Sequence, residues 1–368
     1  MLLSACNSNT SKQTIHYVSP INDINNNIVI PLNTNVGIIT ANELLAKDMQ
    51  KTFDDTIIYY HILLDPVHNY EKLNNLKTIN DNYGKGPIKV NKELIEIIKE
   101  AIGISKLTNG YFNPTIGVCS NTWKSLFNEK HINKDPDILT IQNDLNSMLS
   151  INEYDKYIII DENNNTIDFK KKENINSIII DLGAIAKGYV LDKAYEALLQ
   201  YNTSFLISAG GSSIITYVDK NDISTDWTIG IKNPNTNASS MELTVKNSCF
   251  STSGDNERFF INEQGVRRHH ILNPYTGFPM NNYRSITLFS KSKAYVLDAL
   301  STALFSANNN EIEPIMLKFE NKYNIDIKKV IIDDDLNNSN NLTLQYDEIN
   351  DLIKYNIDKT QFSSINTK

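Results

Sequence analysis

The sequence predicts a mixed α/β (α+β) fold class, with mixed sheets flanked by helices in a single large domain. Patterns typical of amphipathic helices and short apolar runs typical of strands follow one another from end to end of the chain. The chain has 368 residues, of which 40% are hydrophobic, so it can bury a sizeable core. No internal repeat with a regular period is visible, which argues against a solenoid or a propeller.

The first half of the chain predicts two long helices. One is predicted over 43–65, where apolar residues recur at helical spacing. A glycine-containing turn at 82–87 precedes the second, which is predicted over 90–110. Asn91 is the expected N-cap of this second helix, and Gly110 is its expected C-terminal stop.

The middle of the chain alternates predicted strands with one helix. A hairpin is predicted over 157–169 and a buried strand over 175–183. A helix follows over 184–200, because its apolar residues recur at helical spacing. The run 204–213 predicts another strand, which ends in adjacent glycines.

The last third predicts mainly strands. They are expected within 226–234, 241–254 and 285–290, and a helix is expected over 292–307. The acidic, Asn-rich run 333–341 predicts a polar loop before a last short element.

These patterns divide the chain into three segments. Residues 1–35 predict a lipoprotein-like N-terminus and tether, 36–330 the main domain, and 331–368 a C-terminal polar loop and short element. The formal net charge is −8 and the isoelectric point is about 5.3. Nucleic-acid binders usually carry a basic face, so no nucleic-acid partner is expected.

The N-terminus resembles a bacterial lipobox. Leu3, Ser4 and Ala5 precede Cys6, and a polar stretch suited to a tether follows. No stretch of the sequence is long and apolar enough to span a membrane. We therefore expect attachment to the cell membrane through a lipid on Cys6, on the extracytoplasmic side.

The other two cysteines, Cys119 and Cys249, have apolar or small neighbours in the sequence. No pair of the three cysteines has metal-ligand spacing. The pattern predicts that Cys119 and Cys249 are buried free thiols.

The stretch "DLGAIAKGYVLD" places an acid, a glycine and a lysine where a strand is predicted to turn into a helix. Gly183 allows a tight turn after Asp181, and the new helix offers free N–H groups. Lys187 is placed in the first turn, where the helix dipole disfavours a cation. A bound anion would account for it, whereas a solvated surface lysine is the simpler reading of this motif alone.

Adjacent glycines form a second motif, "SAGGSS", at the end of a predicted strand. Gly210 and Gly211 would allow a ligand to approach the backbone closely, although a plain turn explains the motif equally well. The dinucleotide fingerprint GxGxxG is missing, which argues against an ordinary Rossmann site.

The third motif combines "STSGDNERFF" (251–260) with "RRHHILNPYTGFP" (267–279). Its two histidines, His269 and His270, precede a loop rich in proline and glycine. Histidine is suited to general-base work at neutral pH, although a surface pair is the bland alternative. No acid or cysteine lies at ligand spacing for zinc.

The fourth motif is "VLDALSTALF". Asp298 and Thr302 are four residues apart on a predicted helix, so they share one face. A carboxylate and a hydroxyl on one face suit a hard cation such as Mg²⁺. A threonine bonded to its own backbone beside a solvated aspartate is the alternative.

Taken in order, the motifs "DLGAIAKGYVLD", "SAGGS", "STSGDNERFF", "HHILNPYTGFP" and "DALSTALF" resemble those of the ApbE-type FAD:protein FMN transferases. The first half, including "GYFNPT", is similar to the same family. The resemblance covers about 40–310, so 36–330 is expected to be a single ApbE-like flavin transferase domain. The lipobox-like start also fits, because many family members are lipoproteins.

The resemblance implies Mg²⁺-dependent transfer of the FMN moiety of FAD to a Thr or Ser hydroxyl of an acceptor protein. The product is a phosphoester, and AMP is released. It implies that His270 is the base, with His269 as runner-up, and that Mg²⁺ is held by Asp298, Thr302 and a backbone oxygen of Ala184. The FAD-binding residues that it implies are Tyr111, Phe112, Asn113, Asp181, Lys187, Gly210, Gly211, Ser253, Gly254 and Leu272.

The chain departs from the family pattern at several positions. Asn113 replaces the usual aspartate, Ser212 stands where an acid is common, and Asn256 stands where an aromatic is frequent. The MGT-type start of the family domain is not evident. Two other functions stay open: an FAD pyrophosphatase that gives FMN and AMP, and a flavin-binding lipoprotein that serves an importer.

Overall fold

The computed structural model describes the residues 14–23, 27–40, 42–128, 133–222, 225–335, 338–349 and 354–368. Within these ranges the helices are α1 (Ala46–Leu64), α2 (Leu76–Asp81), α3 (Lys92–Leu107), α4 (Gly117–Asn128), α5 (Ile138–Asn146), α6 (Tyr154–Tyr157), α7 (Gly183–Leu198), α8 (Ala294–Ser306) and α9 (Ile312–Tyr323).

Strands occur along the whole of the described chain. They are β1 (Thr14–Tyr17), β2 (Ile21–Asn22), β3 (Ile28–Val29), β4 (Val36–Thr40), β5 (Ile88–Lys89), β6 (Ile158–Asp161), β7 (Thr166–Phe169), β8 (Phe205–Ala209), β9 (Ser213–Tyr217), β10 (Trp227–Lys232), β11 (Ser239–Val245), β12 (Ser248–Gly254), β13 (Phe259–Ile261), β14 (Arg267–His269), β15 (Ser285–Ser290), β16 (Lys328–Asp335), β17 (Asn338–Tyr346), β18 (Lys354–Ile357) and β19 (Ser364–Thr367).

The described strands build one large sheet of nine strands in the order β1-β4-β8-β9-β12-β15-β16-β17-β19. Neighbours are antiparallel except for the pair β17–β19. Two small three-stranded sheets, β10-β11-β18 and β5-β7-β6, accompany it. The mixture of helices and sheets confirms the predicted fold class.

The large sheet separates two hydrophobic cores. Successive side chains of a strand point to opposite faces, so Ile38 enters the core with helices α1, α7 and α8, whereas Ile39 enters the core with β10 and β11. The segments after β8 and β12 lie at one end of the sheet, where the functional motifs meet.

Helices α7 and α8 pack closely because glycine stands at their contact. A Cβ on Gly188 would lie 2.5 Å from backbone atoms of Ala294 and Tyr295. One turn further along α7, Asp192 accepts bonds from the N–H groups of Ala294 (2.9 Å) and Tyr295 (3.0 Å). The carboxylate thus satisfies free donors at the start of α8 and fixes how that helix lies against α7.

The buried strand predicted over 175–183 is wrong as a strand. Its only ladder contact in the described structure is a single bridge between Ile179 and Ile116. The N–H and C=O of Ile180 bond instead to the side chain of Asn80, at 2.8 and 3.0 Å. An apolar run typical of a strand satisfies its backbone here through a side chain, which the pattern alone does not reveal.

The ends of the chain also differ from expectation. Residues 14–17, which the sequence placed in a tether, form edge strand β1 against β4. The acidic run predicted as a polar loop over 333–341 belongs mostly to β16 and β17. Asp334 is accommodated there because Arg284 donates to it at 2.9 Å. Strand preference depends on such partners more than on composition.

The structure confirms the predicted second helix and the predicted burial of two cysteines. The helix over 90–110 is α3, although the side chain of Asn91 bonds to the Tyr59 hydroxyl and not to the helix N-terminus. Cys119 and Cys249 are buried and free, whereas Cys6 lies outside the described residues. None of the described helices combines the length and apolar character that a membrane span requires.

Candidate active site

A large cleft, with a volume of about 540 Å³, opens at the end of the sheet where β8 and β12 finish and α7 begins. It brings together thirteen residues that the motifs singled out: Tyr111, Phe112, Asn113, Asp181, Ala184, Lys187, Gly210, Gly211, Ser253, Gly254, His270, Leu272 and Thr302. Asp298 lies behind the wall and is only 5% exposed. The predicted residues therefore form one site, apart from Cys6, which lies outside the described residues.

His270 and His269 have different surroundings. Both ring nitrogens of His269 are engaged, since Nε2 lies 2.6 Å from the Met280 carbonyl oxygen and Nδ1 accepts from Ile271 N–H at 3.2 Å. The His270 ring lines the cleft, and its Nδ1 lies 3.0 Å from the carbonyl oxygen of Glu257. A carbonyl can only accept, so Nδ1 carries the proton and the lone pair is on Nε2. His270 therefore has the tautomer that a general base requires.

The pKa of His270 is lowered, to about 3. Desolvation by the surrounding wall is the main cause, and His269, Lys187 and Arg258 act in the same direction. The side chain is nevertheless exposed, because the ring lines the cleft. The imidazole is neutral at physiological pH and can take up a proton.

Asp298 is held by hydroxyl groups from two strands. Its carboxylate accepts from Ser213 of β9 at 2.8 Å and from Ser251 of β12 at 2.6 Å. Burial raises the pKa of Asp298, and the charge of Lys187 together with these hydrogen bonds opposes that rise. Ser253, two residues along β12 on the same face, lies 3.4 Å from the Thr302 hydroxyl. The carboxylate and Thr302 thus belong to one buried set of oxygens beside the cleft.

The start of α7 adds a backbone oxygen to this set. In a regular helix the N–H of Gly188 points to the carbonyl of Ala184. Here the same N–H donates to Asp298 at 2.6 Å, so the carboxylate lies beside the Ala184 carbonyl. Ala184, Asp298 and Thr302 offer only oxygen donors, which fits Mg²⁺. No group of three or more His, Cys, Asp or Glu in the described chain is arranged to hold a metal. Mg²⁺ usually keeps several waters and binds substrate phosphates, so water or substrate oxygens would supply the remaining ligands.

Asp181 begins the turn into α7 and pairs with a lysine of α4. Its carboxylate accepts from Gly183 N–H at 2.8 Å and from Lys124 at 2.8 Å. Burial acts to raise the pKa of Asp181, but Lys124 and the hydrogen bonds outweigh it, so the pKa is lowered. Asp181 is therefore ionised and shapes the turn.

Lys187 is the fifth residue of α7, one residue further from the helix start than predicted, because the helix begins at Gly183 and not at 184. It lines the cleft and makes no hydrogen bond or ion pair within the described part of the chain. Arg258 also lines the cleft, held by a 3.2 Å bond to the Asn33 carbonyl. These two cations, together with Lys124, suit an anionic ligand such as a pyrophosphate.

One wall of the cleft is aromatic. Tyr111 and Phe112 line it, and the Tyr111 ring packs edge-on against Tyr275 at a centroid distance of 5.2 Å. Asn113 follows them, but its amide is engaged within the protein: it donates to the Leu149 carbonyl at 2.9 Å and accepts from Thr115 at 2.8 Å. Asn113 therefore supports this wall through its amide group.

The paired glycines after β8 leave room beside the cleft. Both have positive φ, 67° for Gly210 and 71° for Gly211, which disfavours any residue with a Cβ. A Cβ on Gly210 would lie 2.6 Å from the Thr34 hydroxyl oxygen, whereas one on Gly211 would meet nothing within 4 Å. The turn thus gives a ligand access to the backbone at Gly211.

Several residues of the site were not identified from the sequence. The sequence around Lys124 and Arg258 does not mark them as functional, because single cations on a helix or loop are common. Ser213 and Ser251 lay inside quoted motifs without an assigned role. The alternation of Ser251 and Ser253 along a largely buried strand was the available signal, since both face α8.

Comparisons with known proteins point to a single family. The sequence profile of the ApbE family matches residues 32–325, which is nearly the stretch predicted as the main domain. The FAD:protein FMN transferase of Vibrio cholerae is 28% identical over 65% of this chain and 68% of its own length. That of Treponema pallidum is 28% identical over 62% of this chain and 64% of its own length. The matches thus span about two thirds of these relatives.

A solved structure is similar over a longer stretch. The crystal structure of the ApbE protein from Thermotoga maritima superposes with a TM-score of 0.67 at 27% identity. The superposition covers 86% of this chain and 94% of that protein.

Proposed function

The chain belongs to the ApbE family, and from this membership and the arrangement of the cleft we propose that it is an FAD:protein FMN transferase. The FMN moiety of FAD passes to a Thr or Ser hydroxyl of an acceptor protein, and AMP leaves. The observation that carries this proposal is the tautomer of His270, whose Nε2 is free to take a proton inside a cleft lined by cations.

The reaction requires one proton transfer from the acceptor hydroxyl. The acceptor hydroxyl gives its proton to Nε2 of His270 while its oxygen forms a bond to the phosphorus atom of the FMN half. The phosphoanhydride bond of FAD breaks, and its electron pair leaves with AMP. Phosphoryl transfer of this kind depends mainly on alignment and charge neutralisation, which Lys187 and Arg258 supply beside the base.

A divalent cation fits the oxygen donors next to this base. Asp298, Thr302 and the Ala184 carbonyl would hold Mg²⁺, which would neutralise pyrophosphate charge. Ser213 and Ser251 orient the carboxylate through their hydrogen bonds. Gly188 N–H does the same from the helix, so three elements fix the direction of Asp298.

FAD is the proposed substrate, with the aromatic wall of Tyr111 and Phe112 beside the flavin and the cations beside the pyrophosphate. Membrane attachment is a separate proposal, and the lipobox-like Leu3-Ser4-Ala5-Cys6 supports it. Mass spectrometry of the N-terminal peptide from the native organism tests it. An unmodified Cys6 there would overturn the lipid anchor and leave the enzymatic proposal untouched.

The enzymatic proposal is tested by incubating the full chain with FAD and Mg²⁺, with and without a threonine-bearing acceptor protein. Mass spectrometry of the acceptor should detect a covalent FMN adduct, AMP should appear in step with it, and EDTA should stop both. AMP without an adduct identifies a pyrophosphatase. FAD binding with no AMP under either condition identifies a binding protein.

A further inference from the structure

A two-stranded ribbon emerges from the wall of the cleft directly beside His270. It consists of β13 and β14, and His270 follows the last residue of β14. Within the described chain β13 has no strand neighbour except β14. Among the described residues, one long edge of β13 is therefore unpaired, and just beyond its end Glu263 N–H bonds to the Asn133 carbonyl at 2.7 Å.

The hydrogen-bond alternation shows which groups this edge presents. Asn262 N–H bonds to the Val266 carbonyl at 2.9 Å and closes the ribbon at its turn. Bonded and non-bonded pairs alternate along an antiparallel ladder, so Phe260 and Arg268 form the next bonded pair. The N–H and C=O groups of Phe259 and Ile261 consequently point outward, away from β14.

The side chains of β13 alternate between a packed face and an exposed face of the ribbon. Phe260 stacks on Trp123 at a centroid distance of 6.3 Å, so its face is packed onto the protein. Phe259 and Ile261, on the other face, are 40% and 46% exposed. The Arg267 guanidinium lies 4.0 Å above the Phe259 ring and holds that ring in place. The free edge is thus flanked by two exposed apolar side chains, and a guanidinium lies over the ring of one of them.

This edge lies within reach of the base. The His270 ring extends to the chain that leads into β13, where its Nδ1 bonds to the Glu257 carbonyl. A strand added to a sheet edge lies about 4.8 Å from its neighbour. A segment paired with β13 would therefore lie one strand spacing from the backbone near Glu257, to which the imidazole bonds. A short side chain such as threonine spans that distance.

We propose that the acceptor protein adds an extended segment to the free edge of β13, with apolar residues at alternate positions over Phe259 and Ile261 and its hydroxyl at His270. This inference rests on the proposed transferase function and describes how the acceptor protein is recognised. Main-chain bonds to an edge supply affinity in such recognition, and alternate side chains supply selectivity.

Ile261→Pro tests the edge. Proline removes the outward N–H and leaves the bonds of the Phe260–Arg268 pair in place. The probe is a synthetic peptide with one central threonine and apolar residues at every second position. We expect KM for this peptide to rise about tenfold, with FAD affinity and peptide-independent AMP release retained.

Ile15→Pro is the matched control. Ile15 is 44% exposed on edge strand β1, and Val18 N–H bonded to the Val36 carbonyl places Ile15 at an outward position by the same alternation. This variant should keep the wild-type KM for the peptide. Equal peptide KM values in both proline variants and in the wild type would overturn the proposal.

A second measurement needs no variant. Hydrogen exchange at the Phe259 and Ile261 amides of the wild-type chain should slow when the peptide is saturating, because both amides become bonded. Unchanged exchange at both amides would overturn the edge docking even if Ile261→Pro proved unstable. If no acceptor receives FMN but AMP is released to water, it is the transferase function that fails, which separates the two results.

Discussion

His269 and His270 are neighbours in the chain, but their side chains have different environments. His269 is fully buried with both ring nitrogens engaged, whereas His270 has one nitrogen bonded to a carbonyl and the other available in the cleft. The sequence motifs identify the pair, but they do not show how the two histidines differ physically. The hydrogen-bond partners in the folded structure distinguish them, because a bond at one ring nitrogen determines whether the other nitrogen carries the proton.

The first prediction concerns this pair. His270→Ala should keep FAD affinity and lose about 10²–10⁴-fold in transfer rate, because it removes Nε2, the proposed acceptor of the hydroxyl proton. His269→Gln should lower Tm and keep transfer at temperatures where it stays folded. Flavin fluorescence quenching and AMP release measure both quantities. A folded His269→Gln that is inactive, beside an active His270→Ala, would contradict the assignment.

The pH profile of transfer gives a second prediction. The pKa of His270 is lowered from its usual 6.5, so the base form persists as the pH falls below 6.5. Transfer at saturating FAD should therefore show no decline centred near pH 6.5, and any acid limb should lie at lower pH. A decline at pH 6.5 that disappears in His270→Ala would mean that the ring is more solvated than its surroundings indicate.

The third prediction concerns Asp298. Asp298→Asn keeps the size of the side chain and removes its charge, so Mg²⁺-dependent AMP release should fall by at least about 10²-fold. Asp192→Asn is the matched control, since Asp192 is also buried and accepts backbone N–H groups, but outside the cleft. It should alter Tm and keep the Mg²⁺ requirement. Calorimetric titration with Mg²⁺ in the presence of FAD separates the two variants.

At the scale of elements, the contact between α7 and α8 sets the geometry of the site. The absence of a side chain at Gly188 lets α8 approach closely enough for Asp298 to bond to the α7 backbone. Lys187, the preceding residue, is directed toward the cleft by the same helix. A change that forces the two helices apart at Gly188 should therefore affect both stability and metal binding.

The fourth prediction tests that contact. Gly188→Ala places a methyl group 2.5 Å from the α8 backbone, so the helices must separate, at a cost of about 1–3 kcal/mol in unfolding free energy. The Mg²⁺ concentration needed for half-maximal activity should rise with it. Gly103→Ala on α3 is the control, because a Cβ there meets nothing within 4 Å. It should be neutral or stabilising by about 0.5–1 kcal/mol. Equal Tm and Mg²⁺ response in the two variants would contradict the role of Gly188.

Much of the element pattern could be predicted from the sequence, because helices such as α3 carry a regular apolar stripe. The i, i+4 spacing of Asp298 and Thr302 also correctly predicted that both side chains lie on one face of α8. The sequence could not reveal that Asn80 replaces a strand partner for Ile180, or that Arg284 makes an acidic run tolerable in β16. Both effects depend on residues about 50 to 100 positions away in the chain. Local patterns contain no information about such contacts.

At the scale of the whole molecule, buried histidines couple stability to pH. Burial lowers the pKa of His269 to about 4 and also lowers that of His61. Below pH 6.5 the unfolded chain binds protons at these rings that the folded chain does not. Protonation therefore favours unfolding, and stability is lost as the pH falls from 6.5 toward 4.

The fifth prediction follows from this coupling. The free energy of unfolding, measured by urea denaturation, should decline between pH 6.5 and 4 by up to about 1.4 kcal/mol per pH unit for each such histidine. His269→Gln should be less stable at pH 7 and show a shallower decline. A slope as steep as that of the wild type would assign the coupling to other groups.

The strands of the large sheet stand side by side in the order in which they occur in the chain, from β1 at one edge to β19 at the other. A polypeptide that emerges from the ribosome, or from a membrane translocase, one end first can therefore assemble this sheet progressively. Each new strand finds its neighbour already in place, and no earlier pair has to open to admit a later one. The cost is that every partly synthesised chain ends in an exposed edge, so a pause in synthesis leaves a surface that can pair with another chain.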